Sequence, residues 1–118
     1  MLILLNLREI REEIIKEYIG NDLISELTEE LKNILTTDLK SNPFKSNIEL
    51  SIIPANIEIF KKIETKLIEA KVNLKIGWER VLINSILKDS FDLNYEINKS
   101  CNEPLMFRII IYIDSYDA

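Results

Sequence analysis

The apolar pattern first departs from helical spacing between residues 40 and 48, and this switch limits the fold more than any other feature of the chain. Before it, apolar residues recur at the three-to-four-residue spacing of helices; after it, helical stretches take turns with runs that alternate every second residue. Period-two runs are the mark of strands with one buried face, so the chain is expected to be an α+β domain in which helices come first and the sheet follows.

The first part is helical. Asn6-Leu7-Arg8-Glu9 has capping-box form, and Leu7, Ile10, Ile14, Ile15, Tyr18 and Ile19 recur behind it at helical spacing. Gly20 suits the closing position, which predicts a helix over 7–19. Asp22 is placed to cap a second helix striped by Leu23, Ile24, Leu27, Leu31, Ile34, Leu35 and Leu39. The Gly20-Asn21 connector is short enough to fold the two into a hairpin or a sharp corner. Residues 40–47, with Pro43 and a polar cluster, form a loop between a helical part (1–39) and a sheet-containing part (48–114).

In the second part, Ile48, Leu50 and Ile52 alternate until Pro54 stops them, and Asn56 is placed to cap a helix carrying Ile59, Phe60, Ile63 and Leu67. Val72, Leu74, Ile76 and Trp78 alternate again and predict a second strand. A helix over 79–88 follows, then a one-sided strand on Phe91, Leu93, Tyr95 and Ile97, and a last strand from Leu105 to Ile113. The predicted order is ααβαβαββ. It implies a mixed four-stranded sheet with one parallel pair and a C-terminal β-hairpin, the last strand central because it is apolar on both faces. At 118 residues, 47% of them hydrophobic, the chain has material for one core, so residues 1–118 are expected to form a single domain.

Composition excludes chemistry more readily than it assigns it. There is no histidine, which removes the usual general base near neutral pH, the Ser-His and Cys-His pairs and most transition-metal sites. Two glycines, Gly20 and Gly77, cannot build a glycine-rich phosphate loop. Cys101 is the sole cysteine, so no internal disulfide forms, and it reads as an inert thiol of a reducing cytoplasm. Glu103, Asp114 and Asp117 read as a solvated acidic end rather than a cation site. The apolar start Met1–Leu5 lacks a basic flank, and no run is long enough to span a bilayer, so no membrane association is expected. No catalytic, cofactor or metal residue is assigned.

The stretch from Glu79 to Asp114 resembles the nucleotide-binding part of sensor histidine kinases. A helix carries Asn84 in Arg80-Val81-Leu82-Ile83-Asn84, and a hairpin follows whose last strand ends in Asp114. The resemblance covers under a third of the chain and departs from the family at its motifs. Lys88 stands where that family's second amide is expected, residues 114–118 lack its glycines, and no ATP lid follows. Without histidine, the first two helices are not a phosphoacceptor hairpin. The resemblance implies nucleotide binding, and these departures remove the residues that would carry it.

What remains is a small acidic chain, net charge −5, whose ends (1–47 and 90–118) carry the excess and whose middle is near neutral. The leading expectation is a non-enzymatic protein-binding module, either an inhibitor or immunity-type protein or a subunit of a larger assembly. Charge on such a module speeds encounter and sets specificity. The contact candidates are Leu7, Ile10, Ile14 and Tyr18, if the first helix keeps a stripe not spent on the sheet, together with Trp78 and Arg80. Trp78 also continues the alternation of Val72, Leu74 and Ile76, which favours the core. An inhibitor requires a clustered acidic face; a subunit requires a leftover apolar face and self-association. Two alternatives follow. A carboxylate-dependent enzyme, with or without a divalent metal, requires a concave site with two acidic side chains. A nucleic-acid-binding module requires Lys61, Lys62, Lys66, Lys71 and Lys75 to form a continuous basic face.

Overall fold

The computed structural model describes residues 6–91, 93–100 and 104–114. The helices are α1 (Leu7–Ile19), α2 (Asn21–Ser41), α3 (Glu58–Glu69) and α4 (Glu79–Ser85), the last running into a π-helical turn at Ile86–Ser90. The strands are β1 (Asn47–Ile52), β2 (Asn94–Lys99) and β3 (Phe107–Tyr112), with a 3₁₀ turn at Pro54–Asn56.

The N-terminal part follows its sequence closely. Asn6 stands extended before α1, and its Oδ1 accepts from the amides of Arg8 at 3.1 Å and Glu9 at 3.3 Å. Gly20, at φ 91°, is the only residue between α1 and α2, a conformation an L side chain resists. Its amide donates to the Lys16 carbonyl at 2.8 Å. Helix α2 already begins at Asn21, so Asp22 lies inside it and does not cap it. Asn56 likewise sits in the 3₁₀ turn, and α3 starts behind Ile57 with no side-chain cap.

The sheet differs from expectation. It has three strands among the described residues, in the order β1-β3-β2, and both pairings are antiparallel. The predicted strand over Val72–Trp78 does not form, and with it go the parallel pair and the fourth strand. The cause lies at the end of α3. The Val72 amide donates to the Leu67 carbonyl at 2.9 Å and the Lys71 amide to Ile68 at 2.9 Å, with Lys71 left-handed at φ 60°. This is a Schellman closure with lysine where glycine is usual. The chain then runs on outside the sheet and turns at residues 75–78, where the Trp78 amide donates to the Lys75 carbonyl at 3.1 Å and Gly77 is at φ 86°. Val72, Leu74 and Trp78 pack on the buried cluster, while Ile76 is 85% exposed. Alternation here reflects a segment lying on a core, not a ladder.

Strand β3 is central, as its sequence predicts. Phe107, Ile109 and Ile111 are buried and face the helices; Ile111 stands between Ile48 and Tyr95, and Ile109 between Leu50 and Ile97. On the other face, Arg108 reaches Glu49 at 3.4 Å, and Tyr112 donates to Glu96 at 3.1 Å. The two layers enclose one core that draws on every helix and strand except β2, whose Tyr95 and Ile97 are half-buried against it. Helix α1 packs on α2, α3 and α4, yet contributes only Ile19 as a fully buried side chain. No helix among the described residues is long and apolar enough to cross a membrane.

Candidate functional site

Helix α1 carries two apolar rows. Ile15 and Ile19 turn inward, the first half-buried and the second buried. At ~100° per residue, Leu7, Ile14 and Tyr18 lie within roughly 40° of one another around the axis, with Ile10 beside them and the inward row on the order of 100° further round. These four are exposed at 76% (Leu7), 38% (Ile10), 45% (Ile14) and 49% (Tyr18). The structure therefore brings four of the six contact candidates into one outward row, about 16 Å long at ~1.5 Å per residue.

Trp78 and Arg80 lie elsewhere and diverge. Trp78 stands immediately before α4, half-buried, with its ring edge-on to Phe60 at a centroid separation of 6.1 Å and an interplanar angle of 82°. Arg80 is exposed and donates to the Ile97 carbonyl at 3.3 Å, joining α4 to β2. The two side chains line different hollows.

The Arg80 hollow, about 760 Å³, is a polar cleft between α1, α4 and β2. Arg8, Arg11 and Lys88 line it with Glu9, Glu12, Glu13 and Asp89, so both signs are interleaved. At its side the Tyr95 hydroxyl donates to Asn84 Oδ1 at 2.8 Å. Burial, then Glu12 and Asp89, raise the Tyr95 ionisation above its ordinary value, with Arg80 opposing them. Asn84, the residue that carried the resemblance to histidine kinases, is thus engaged in a bond within the chain.

The Trp78 hollow, about 370 Å³, is lined by Phe60, Lys61, Glu64, Trp78, Glu79 and Leu105, so a lysine stands among its carboxylates. Glu79 Oε1 is closed off from solvent and has no hydrogen-bond partner. Burial raises the Glu79 carboxyl above its usual range; its own backbone amide works against this, and the charge of Glu64 adds to it. Glu79 and Glu64 were not singled out from sequence. The Trp78-Glu79 neighbourhood was visible, but Phe60 and Glu64 meet it only through the packing of α3.

A third hollow, between α2 and α3, is lined by Glu26, Glu29, Glu30 and Glu58, with Lys62 at 3.9 Å from Glu26. Of the lysines needed for a basic face, Lys61 opens toward Trp78 and pairs with Glu58 at 3.7 Å, while Lys62 and Lys66 line a separate hollow at the α1–α2 corner. No group of three or more acidic or cysteine side chains with the spacing of a metal site occurs among the described residues. Cys101, Glu103 and Asp117, and the apolar start Met1–Leu5, lie outside the described residues. No protein-family model, no curated protein and no solved structure matches this chain.

Proposed function

We propose that the chain is a non-enzymatic subunit that associates with a second copy of itself through the outer row of α1. The observation that carries this reading is the row Leu7, Ile10, Ile14 and Tyr18, large apolar side chains aligned and exposed on a helix that the fold uses only at its inner edge. Such a row is self-complementary. In an antiparallel pair about a two-fold axis, Leu7 of each copy meets Tyr18 of the other, and Ile10 meets Ile14, so every side chain has a partner.

The size of the row sets the strength. A helix seam about 16 Å long falls well short of the ~800 Å² per partner typical of stable complexes, so the association is concentration-dependent. The net charge of −5 opposes it at long range, and added salt is expected to strengthen it. Substituting Ile10→Glu and Ile14→Glu together tests the reading. Both sites are exposed in the monomer, so circular dichroism should be unchanged while the sedimentation coefficient falls to that of a single chain. Unchanged sedimentation of an associating protein would reject α1 as the contact.

A further inference from the structure

We propose that the outer edge of β1 receives an extended segment of a partner protein, which adds to the sheet as a further strand and sets a cationic side chain opposite Glu49. The α1 row plays no part in this site. The ladder fixes which backbone groups are available. The Ile113 amide donates to the Ser46 carbonyl at 2.9 Å, so these two residues form a hydrogen-bonded pair, and by alternation Ile48, Leu50 and Ile52 also spend their backbone groups on β3. Asn47, Glu49 and Ser51 therefore aim an amide and a carbonyl each outward. All three residues are exposed, and these groups meet no hydrogen-bonding partner among the described residues. The opposite edge differs. On β2 the same alternation turns Tyr95, Ile97 and Lys99 outward, and there Arg80 donates to the Ile97 carbonyl at 3.3 Å. An arginine blocks the middle of one edge and the other is left bare, a row of donors and acceptors that the backbone of another strand matches.

What flanks the row sets the chemistry of its occupant. Glu49, midway along the edge, lies 3.4 Å from Arg108 on the outer face and is still 56% exposed. In a two-fold pairing of two β1 edges centred there, Glu49 faces Glu49, which disfavours a second copy; a lysine or arginine in that place is attracted instead. On the inner face Leu50 is only half-buried, and an apolar side chain of the added strand covers what remains. Phe44, 93% exposed, stands three residues before Asn47, within about 11 Å along the chain. Its turn is held in place. Asn42 Oδ1 accepts from the Phe44 amide at 3.3 Å, the Lys45 amide donates to the Asn42 carbonyl at 3.4 Å, and the Lys45 ammonium meets Asp38 at 2.7 Å. An aromatic ring presented on a fixed turn loses little freedom on contact, and it supplies an apolar anchor beside the backbone row.

The probe is the capped peptide acetyl-Leu-Thr-Val-Lys-Val-Thr-Leu-amide, whose alternation sets its lysine on the outer face and its apolar residues on the inner one. Amide hydrogen exchange of the full chain is followed by NMR. In the free protein the amides of Asn47, Glu49 and Ser51 are expected to exchange fast, and those of Ile48, Leu50 and Ile52 slowly. The peptide should slow the first three saturably. N-methylation of its threonine and lysine amides should abolish this, whereas N-methylation of its valine amides should not, because only the former face the edge. Glutamate in place of the peptide lysine should weaken binding about threefold, and Glu49→Lys should reverse that preference. Phe44→Ser, at a site too exposed to unsettle the fold, should weaken binding about threefold as well. No saturable protection up to about 2 mM peptide, equal effects of the two methylation patterns, an unreversed charge preference or undiminished binding to Phe44→Ser overturns the proposal. Protection of the three amides that grows with protein concentration alone assigns the edge to a second copy and overturns the assignment to a partner protein.

Discussion

Tyr95 donates its phenolic hydrogen to Oδ1 of Asn84 at 2.8 Å, which ties strand β2 to helix α4 beside the polar cleft. A half-buried bond of this kind contributes about 1 kcal/mol, and Tyr95→Phe should lower stability by that amount in urea denaturation. A double-mutant cycle with Asn84→Ala should return a coupling of similar size. Because the fold raises the Tyr95 ionisation, its contribution is complete below about pH 10 and is lost as pH rises through the folded value.

Glu79 gives the chain a pH dependence of definite sign. Its folded ionisation is raised chiefly by burial, so the folded state holds the proton more tightly than the unfolded chain does. The stabilisation is complete below the ordinary value of 4.5 and is lost as pH rises through the folded value. Urea midpoints measured from about pH 4 to pH 7 should show Glu79→Gln gaining on the unsubstituted protein as pH rises. A constant gap across that range would contradict the burial of this carboxyl.

Lys71 occupies the left-handed closing position of α3 at φ 60°. An L side chain there costs roughly 1–2 kcal/mol, partly offset by the greater freedom of glycine in the unfolded chain. Lys71→Gly should therefore stabilise by about 0.5–1 kcal/mol, read as a higher urea midpoint.

Ile76 and Ile109 test the replacement of the expected strand by a connection outside the sheet. Ile76 is 85% exposed and Ile109 is buried at the centre of β3. Ile76→Ala should change stability by less than about 0.5 kcal/mol, and Ile109→Ala should cost about 2–5 kcal/mol in the same denaturation assay. Similar losses at both positions would restore residues 72–78 to the sheet.

These contrasts mark what sequence could carry. The bounds of α1, the strand character of 48–52 and the central place of β3 followed from periodicity and capping, which act locally. The fate of Val72–Trp78 did not, because alternation records which side chains meet a core and says nothing of a hydrogen-bonded neighbour. Once β1 and β2 occupy both edges of β3, the segment has no place beside the central strand. Lys71 concealed the turn that redirects it, since a Schellman closure is read from glycine. The candidate sites divide the same way. The row on α1 was legible as a stripe, though its exposure depended on how much of the helix the core consumed. The Glu79 hollow is assembled from α3, α4 and the approach to β3, and its residues converge only in three dimensions.

The most direct test is the mass of the purified protein by light scattering across a dilution series. The mass should rise toward twice the 13.8 kDa of one chain at high concentration and return to a single chain on dilution, with salt shifting the midpoint lower. A strict monomer at several hundred micromolar, with or without salt, would contradict self-association through α1.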